Sequence, residues 1–523
     1  MNPHGATSRR FAVRSRRIVG GLLAAVVGLV SSQARAERSS SSGIYDVRDF
    51  GAVGDGVTLD TKPIQKAIDA CAEANGGAVR LRGGTFLSGT IRLKSNVTLC
   101  IEAGAALLGS TNIADYPDIT PEIVYLYRAR FTKSLIYAER AENIAIAGRG
   151  VIDGQGEHFP AKPGDDKGRP YLVRFSECKN VRVENVSFRN SARWLSHYLA
   201  CENVTISGIS IRSRIRANRD GIDIDSCQDV RISDCSINSG DDAIVLKATT
   251  NRPCQRVAIT NCVLTTLANA LKLGTESNGG FEDIVISNCT IHDTGGSGIA
   301  VEMVDGGALN RVSVSNVTMR DVQAPIFIRL GNRARQIPGL PPPGMGSLRN
   351  VIISNVQVSG ASATGCSITG IPGFPVENVT LHNIRIEFEG GGTREDARRK
   401  IREKASAYPS GKMFGMLPAY GFFCRHAKNL RLHNVDLAFE ADDLRPAIVC
   451  DDVRGLDIFG LQAEVSAAAD CVLRLRQVQG ALIHGCQSDA KVNTFLRLEG
   501  DGCRDISLTG NRLPGVRHLK EGD

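Results

Sequence analysis

A phrase of ten residues recurs along this chain at a nearly constant spacing. Clear copies occupy residues 179–188, 228–237, 255–264 and 282–291. The residues at the centres of five successive copies are 26, 27, 27 and 28 positions apart; they are Gly208, Asp234, Asn261, Asn288 and Asn316. A repeat of this length, in which one small unit stacks on the next, predicts a solenoid.

Each phrase has the pattern of two short strands joined by a bend. In residues 228–237, for example, Val230 and Ile232 alternate with polar residues before the central Asp234. Such alternation of β-branched residues predicts strands with one buried face, and Asn, Asp or Gly enters the left-handed backbone of a bend at little cost. The predicted fold is all-β: a right-handed parallel β-helix of about ten or more coils, formed by residues 37–523 as a single domain.

Several polar residues at the bends receive a structural interpretation. The triplets that begin at Asn288 and Asn316 match the glycosylation sequon, but their place at the bends favours asparagines that stack on one another. His382, His433 and His484 precede bend residues at equal register. No His, Cys or carboxylate cluster in the sequence has convincing metal-ligand spacing, so we predict neither a metal nor another cofactor.

The 15 cysteines do not follow the spacing of a disulfide framework. Their number is odd, and Cys235, Cys262 and Cys289 each follow a bend residue. A small apolar side chain at that position stacks on its counterpart in the next coil. We therefore predict mostly buried free thiols.

The N-terminus has the pattern of a twin-arginine export signal. It contains Arg9-Arg10, an apolar run from Ile18 to Val30 and a cleavage site at Ala34-Arg35-Ala36. The first 36 residues include six arginines and no acidic residue, so their removal lowers the formal net charge from +8 to +2. This small charge gives no reason to expect nucleic acid, and no apolar run is long enough to favour a membrane-embedded protein. We predict a periplasmic or secreted monomer.

One helix and three insertions depart from the repeat. The segment from Asp60 to Cys71 predicts a helix that covers one end of the solenoid, with Pro63 in its first turn. Insertions at 153–171, 333–347 and 389–420 are typical of a binding face. The last predicts a second helix from Thr393 to Lys404, which is basic. Either its charges are a solvated helix face, or they form a wall that attracts an anionic saccharide.

Aspartates gather in two consecutive coils. The segments that contain Asp220 and the pair Asp241-Asp242 align by their apolar residues, which places Asp220 beside Asp242. Parallel strands lie about 4.8 Å apart, and carboxylates this close raise the pKa of at least one of them. An acid beside a base is the pairing that glycoside hydrolysis needs.

The same register permits a purely structural interpretation. It places Asp225, Lys247, Gly274, Glu302 and Arg329 in one outward file. Alternating charges in such a file can pair between coils without any catalytic role. Spacing alone leaves both interpretations of the acidic cluster open.

At several motifs the sequence resembles the polygalacturonase-like glycoside hydrolases of family 28, the pectin-degrading parallel β-helices. The likeness begins at 45–56, continues through 83–87 and 190–197, and reaches the family's Asn-Thr-Asp motif as Asn218-Arg219-Asp220. The family's Gly-Asp-Asp motif is intact as Gly240-Asp241-Asp242. The resemblance covers nearly all of the chain after the predicted export signal.

The resemblance implies an inverting hydrolase of pectic polysaccharide or oligosaccharide. By its motifs, Asp241 is the general acid, while Asp220 and Asp242 activate the water. It also implies that no metal is required. The insertions favour attack at chain ends, and the substrate could be rhamnogalacturonan or a pectin side chain.

Two motifs depart from the family pattern. The family's Gly-His-Gly aligns with Ala268-Asn269-Ala270, and the Arg-Ile-Lys that grips galacturonate aligns with Ala300-Val301-Glu302. We expect substrate contacts from residues in or near these motifs: Asn218, Asn269, Lys272, Glu302 and Arg329. Lys272 and Arg329 could equally be partners in a charge ladder.

Two other functions remain open. A polysaccharide lyase would use an Arg or Lys base with calcium, for which Asp220, Asp223, Asp225, Asp241 and Asp242 could supply oxygen ligands. A carbohydrate-binding β-helix without catalysis would explain the altered histidine and Arg-Ile-Lys positions.

Overall fold

Parallel strands, stacked coil upon coil, form the body of the protein, for which we have a computed structural model. The structure describes residues 43–522 except 129, 161–167, 215–217 and 489–491. The predicted export signal at 1–36 lies outside the described residues and stays a prediction. Residues from Gly43 onward form one compact unit, and no helix among the described residues is long and apolar enough to cross a membrane.

The strands pair in parallel into three sheets, here called A, B and C, that run the length of the solenoid. Sheet A contains the strands Ile44–Asp46, Gly77–Leu81, Val97–Ile101, Glu142–Gly148, Lys179–Glu184, Glu202–Ser207, Gln228–Ser233, Cys254–Thr260 and Arg504–Thr509. Sheet B contains Asp55–Leu59, Gly84–Ser88, Ala105–Gly109, Val151–Asp153, Ser187–Arg189, Ser210–Ser213, Ser236–Ser239, Val263–Thr266 and Gln462–Ala463. Sheet C contains Ile91–Arg92, Ser134–Glu139, Tyr171–Ser176, Ser196–Leu199, Ile222–Asp225, Ile244–Ala248, Leu271–Ser277, Cys366–Thr369, Thr494–Glu499 and His518–Gly522. The predicted right-handed parallel β-helix is confirmed.

In the C-terminal half, strands continue around the corners from one sheet into the next. These long strands are Phe281–Met303, Ala308–Leu330, Ser347–Ala361, Val376–Gly390, Phe422–Ala441, Ile448–Phe459 and Leu473–His484. Their inward side chains join one continuous apolar core of Val, Ile and Leu. That core supplies the main driving force for folding, because burial of such a side chain contributes about 1.5–3 kcal/mol.

Asparagine side chains form a ladder along the predicted bends. Asn316 has a φ of 55°, donates from Nδ2 to Oδ1 of Asn288 at 3.1 Å and accepts from Asn355 at 3.0 Å. The stacking interpretation of these residues is confirmed. His433 and His484 lie beside this ladder and both contact Asp457, at 3.0 and 3.1 Å.

The predicted helix at the N-terminal end is present as Thr61–Glu73. It buries one stripe, Ile64, Ala67, Ile68 and Cys71, against the first coils. The spacing of these residues is that of one helical face. All 15 cysteines are free, and 13 of them are buried, as predicted. Short 3₁₀ helices in the described part of the chain include Val47–Phe50, Ile113–Asp115 and Gly156–His158.

The predicted helix from Thr393 to Lys404 is wrong beyond its first turn. A capping box starts it, but the helix spans only Arg394–Ala397. The backbone carbonyls that follow accept hydrogen bonds from buried arginines of sheet C instead: Arg425 binds the carbonyl of Ile401 at 2.7 Å, and Arg329 binds that of Glu403 at 2.7 Å. These charged donors replace the N–H groups that a continued helix would have used.

The asparagine ladder can be tested at Asn316. Asn316→Ala removes two hydrogen bonds and leaves a residue that tolerates the left-handed backbone less well than asparagine does, so the free energy of unfolding should fall by about 2 kcal/mol. Asn316→Gly loses the same bonds but tolerates the backbone, so it should cost about 1 kcal/mol. Urea unfolding measures both. Equal losses in the two variants would contradict the backbone contribution.

Candidate active site

The three predicted catalytic aspartates meet at the start of two neighbouring strands of sheet C. Ile222 pairs with Ile244 in register, and the N–H of Gly221 donates to the carbonyl of Asp242 at 2.9 Å. Asp220 therefore lies one coil from Asp242, as the repeat predicts. Both are only 3% exposed, whereas Asp241 is partly exposed. Asp241 is thus the member of the trio that a ligand reaches most readily.

Asp241 is held in place by backbone groups. Its carboxylate accepts from the N–H groups of Asn218 and Asp242, each at 3.0 Å. Its carbonyl accepts from the hydroxyls of Ser239 at 2.6 Å and Thr266 at 2.5 Å. Asn218 contacts Asp241 through its backbone N–H. The side chain of Asn218 instead accepts a hydrogen bond from Arg169 at 3.2 Å.

The two adjacent aspartates have opposite pKa shifts. Burial and the charge of Asp242 raise the pKa of Asp241, and Lys272 and Lys247 oppose this only in part. Burial by itself would raise the pKa of Asp242 as well, but Lys272, Lys247 and Asn269 together lower it. The arrangement therefore makes Asp241 the weaker acid of the two and Asp242 the stronger, which is the difference that separates a proton donor from a base.

Lys272 is the main counter-ion of Asp242. Its Nζ lies 3.0 Å from Oδ2 of Asp242 and 3.8 Å from Oε2 of Glu302. At 3.0 Å and an effective dielectric constant of about 20, the Coulomb attraction is about 5 kcal/mol. A hydrogen bond to a charged group contributes about 1.5–3 kcal/mol. The lysine therefore does more than Asn269 to keep Asp242 ionised.

Asn269 orients the same carboxylate from its other side. Its Nδ2 and backbone N–H donate to Oδ1 of Asp242 at 2.7 and 3.2 Å. Its own Oδ1 accepts from the N–H of Ser297 at 2.9 Å, which fixes the amide. Asp242 is thus bound by a cation on one oxygen and two N–H groups on the other.

Asp220 and Asp223 form a second acidic pair around Lys247. The Nζ of Lys247 is 3.4 Å from each of them and 3.5 Å from Glu276. Burial and the charge of Asp223 raise the pKa of Asp220 well above its ordinary value, although Lys247 opposes this. Burial raises the pKa of Asp223 to about 7 despite Lys247. Both buried carboxyl groups therefore hold a proton more readily than an exposed aspartate does.

Two glutamates complete the cluster. Burial would raise the pKa of Glu276, but Lys247 and Arg333 outweigh it and lower that pKa. Burial raises the pKa of Glu302 to about 7 against the effect of Lys272, and the hydroxyl of Thr275 donates to it at 2.9 Å. Six carboxyl groups thus surround two lysines. Among the described residues, no group of His, Cys, Asp or Glu is arranged to hold a metal ion.

A family model for "Glycosyl hydrolases family 28" matches residues 80–407, which include every residue of this cluster. That match covers well over half of the chain. The chain belongs to glycosyl hydrolase family 28. A second model, for rhamnogalacturonase A/epimerase and pectate lyase-like proteins, matches residues 44–114 at the N-terminal end.

This chain is similar to two relatives over only part of their length. A probable polygalacturonase of Vitis vinifera is 35% identical over 213 residues, 38% of this chain and 43% of the relative. An exo-poly-alpha-D-galacturonosidase of Dickeya chrysanthemi is 37% identical over 147 residues, 27% of this chain and 24% of the relative. The matched segments therefore span less than half the length of these two relatives.

A solved structure shares the fold over a longer span. The exopolygalacturonase from Thermotoga maritima has a TM-score of 0.60 at 22% identity, and the match covers 76% of this chain and 91% of that chain. At this identity the likeness supports the architecture and not a substrate.

The family 28 Arg-Ile-Lys position is closed in this chain by the third insertion. Ala300 is fully buried in an apolar cluster with Phe327 of the next coil and with Met413, Phe414 and Leu417 of the insertion. This cluster, here called the plug, covers the outer face of sheet C immediately beyond Lys272 and Glu302. A substrate carboxylate therefore has no cation to meet at position 300, and the cleft ends at the plug.

Arg329 lies under the same insertion. Its guanidinium donates to the carbonyls of Gly370 at 2.8 Å and Glu403 at 2.7 Å, and it stacks over Phe414 at 5.4 Å. Because the side chain is almost fully buried, these contacts describe a residue that anchors the insertion. The predicted substrate contact of Arg329 stays a prediction without support from this geometry.

His197 and Asp225 also form a structural pair behind the site. They lie 3.1 Å apart and fully buried, and Asp225 also accepts from the hydroxyl of Thr249 at 2.6 Å. His197 stacks on Tyr171 and meets the edge of Trp194. The indole of Trp194 in turn lies 4.3 Å from Nζ of Lys247. This group packs the base of the acidic cluster.

Sequence reasoning missed two tyrosines that come from loops. Tyr127 donates from its hydroxyl to Glu276 at 2.8 Å and accepts from Arg335 at 2.8 Å. Tyr408, 59% exposed, accepts from Nζ of Lys272 at 3.3 Å. Neither tyrosine lies in a repeat or a motif, so only the tertiary structure shows that they contact the acidic cluster. They wall the cleft on two sides.

Lys272→Met tests the electrostatic role of the lysine. Loss of the cation should raise the pKa of Asp242, because Lys272 is the strongest of the groups that lower it. The stability that an ionised Asp242 contributes is present above its unfolded pKa and is lost as pH falls through its folded pKa, so in the variant this loss should begin at higher pH. Titration of labelled aspartate carboxyl carbons by NMR measures the pKa directly.

Lys272→Arg is the matched control, because it keeps a cation and should leave Asp242 ionised to lower pH than the Met variant does. Thermal unfolding of both variants shows whether the fold is kept. If the pKa of Asp242 were unchanged in a folded Lys272→Met variant, Lys272 would not be the group that lowers it.

Proposed function

We propose that this protein is an exo-acting, inverting glycoside hydrolase that releases the terminal sugar of a pectic saccharide. The observation that carries the proposal is the opposite pKa shift of two adjacent carboxyl groups, Asp241 and Asp242, at the intact Gly-Asp-Asp motif. Membership of family 28 supports hydrolysis as the reaction. The exo-acting relative and structural neighbour support attack at a chain end.

In the proposed mechanism the two groups act on opposite sides of one bond. Asp241, protonated and partly exposed, gives its proton to the glycosidic oxygen as that bond breaks. Asp242, held ionised by Lys272 and Asn269, takes a proton from the water that attacks the anomeric carbon. The attack comes from the face opposite the leaving group, so the configuration inverts. Asp220 lies beside Asp242 and, with Asp223, holds a proton that can hydrogen-bond the sugar or the water.

We propose that the sugar at the bond-breaking position is neutral. The cations nearest the aspartates already contact protein carboxylates: Lys272 meets Asp242, Lys247 meets Asp220, and Arg333 meets Asp305 and Glu276. A uronate would bring one more negative charge into a group of six carboxyl groups. A neutral sugar instead offers hydroxyl groups, which can donate hydrogen bonds to these carboxylates.

Chain-end attack follows from the closed cleft. The plug blocks the face beyond Glu302, while Tyr127 and Arg335 close over Glu276. Tyr408 and Arg333 meet above Lys272, with the guanidinium 5.8 Å from the ring. Three separate loops thus surround the acidic cluster, an arrangement that favours access for the end of a saccharide over access for its middle.

The alternative of a polysaccharide lyase fits these groups poorly. A lyase base must be neutral to accept a proton. Burial alone would lower the pKa of Lys247 and of Lys272, but the surrounding carboxylates raise both well above the ordinary value. Each lysine therefore stays charged and also occupies the space among the carboxylates that calcium would need.

Asp241→Asn tests the assigned acid. The amide cannot protonate the leaving oxygen, so kcat should fall by about 100- to 10,000-fold. The variant should unfold at the same temperature as the parent or higher, because the neutral amide has the size of the carboxyl group and carries no charge next to Asp242. Reducing ends released from a pectic oligosaccharide that the parent cleaves measure the rate.

Asp234→Asn is the matched control. It is the same substitution at the bend between sheets A and B, an exposed position where other coils already carry asparagine, and it should leave kcat unchanged. If Asp241→Asn kept the parent's rate while both variants stayed folded, the assignment of Asp241 would fail.

A panel of pectic saccharides tests the substrate and the mode of attack. Saccharides that end in a neutral sugar should be cleaved, and the monosaccharide should be the first product, because the plug covers the face of sheet C beyond Glu302. NMR of the fresh product should show the inverted anomer. Early release of mixed oligosaccharides would contradict chain-end attack, and faster cleavage of a galacturonate-terminated chain would contradict the neutral subsite.

A further inference from the structure

A second cleft lies on sheet C beyond the plug. It is a cavity of about 160 Å³ between the third insertion and the outer face of four C-terminal coils. From the strand of Asp242 to these coils the chain advances five to eight strands, or about 25–40 Å at about 4.8 Å per step. The plug separates the two, so this cavity is not part of the acidic site.

Cations outnumber carboxylates around this cavity. Six basic side chains line it, and two acidic ones, Asp451 and Glu499, lie among them. The basic ones are Arg398, Arg399, Lys400, Arg425, Arg474 and Arg476. The first three are exposed and form the mouth, whereas Arg425 and Arg474 are 4% and 6% exposed and form the base.

Nearby acids neutralise this charge only in part. Arg425 contacts Glu403 at 3.2 Å, Arg476 contacts Asp451, and Arg474 contacts Glu499 at 3.0 Å. No described carboxylate contacts Arg399 or Lys400 within 4 Å. The mouth therefore keeps a positive charge above the paired base.

The base of the cavity also contains an unused donor. Nε of Arg425 is buried and has no hydrogen-bond partner among the described residues. A buried donor without a partner costs about 1–3 kcal/mol. An anion that enters between the mouth and the base would supply an acceptor for it.

The remaining lining is apolar. Phe423 and Val449 are nearly buried in the floor, and Pro418 of the insertion faces them across the cavity. A volume of about 160 Å³ corresponds to about five water molecules at their share of liquid volume. That is room for a carboxylate and part of a ring, with the apolar face of the ring against Phe423.

We infer that this cavity binds the carboxylate of a uronate unit in an acidic saccharide. The planar guanidinium groups match a carboxylate in two-point contact, and the apolar floor favours a sugar ring over an inorganic ion. The cavity lies on the same sheet as the acids but beyond the plug, so it would hold an acidic stretch of polysaccharide separately from the active site. The binding claim does not depend on hydrolysis.

Isothermal titration of the full chain with galacturonate, galactose and inorganic phosphate tests this inference. Galacturonate should bind, more weakly as salt rises, and at least about tenfold more tightly than galactose, since charge-assisted hydrogen bonds contribute about 1.5–3 kcal/mol each.

The double variant Arg399→Gln/Lys400→Gln should weaken galacturonate binding by about tenfold or more. Both residues are exposed, so the fold is expected to survive. The matched control is Arg431→Gln/Arg454→Gln, which removes two exposed cations from sheet A of the same coils and should leave binding unchanged.

Three results would overturn the inference: equal binding of galactose and galacturonate, unchanged affinity in the mouth variant, or tighter binding of phosphate than of galacturonate. Either of the first two results would show that the cavity is not a site for a carboxylate. The third would show that the cavity does not select a sugar. If the parent protein hydrolysed no pectic saccharide, the proposed function would be wrong, and these binding results would still hold.

Discussion

Compensation of charge between stacked coils is the constraint on which the rest of this site depends. In a parallel β-helix, equivalent residues of successive coils lie about 4.8 Å apart, so acids at one position of neighbouring repeats are forced together. Burial of such a group is costly unless each charge meets an opposite charge or a proton. Lys247 and Lys272, one coil apart, supply the opposite charges, and burial raises the pKa of Asp220, Asp223 and Asp241, so that these groups hold protons more readily.

The same geometry gives one explanation for both positions at which this chain departs from the family 28 motifs. An amide at 269 cannot provide charge, and the cation that keeps Asp242 ionised comes instead from Lys272 in the same strand of sheet C. Glu302 then faces Lys272 from the next coil, where the family pattern has a lysine. The cation nearest Asp242 thus lies one coil closer to the aspartates than the Arg-Ile-Lys position does. There it contacts a protein carboxylate.

Buried arginines play a corresponding role for the loops. Each projects outward from sheet C or its edge and donates to a loop carbonyl: Arg174 to Phe131 at 2.6 Å, Arg219 to Gly156 at 2.8 Å, Arg329 to Glu403 and Arg425 to Ile401, both at 2.7 Å. A charged donor to a carbonyl contributes about 1.5–3 kcal/mol. The loops that wall the cleft are therefore fixed to the scaffold at several points, which explains both the closed pocket and the early end of the helix at Ala397.

The sequence by itself determined the solenoid, its register and the meeting of Asp220 with Asp242, because a period of about 27 residues and a strand period of two leave little freedom in how coils stack. It also determined the asparagine ladder, since the bends need a left-handed backbone. Only the tertiary structure decided which carboxyl group holds a proton, because that depends on burial and on lysines in adjacent coils. It also decided the roles of Arg329, Tyr127 and Tyr408, whose partners lie 74, 149 and 136 residues away in the chain. Contacts this distant follow no local period, so no pattern in the sequence could have indicated them.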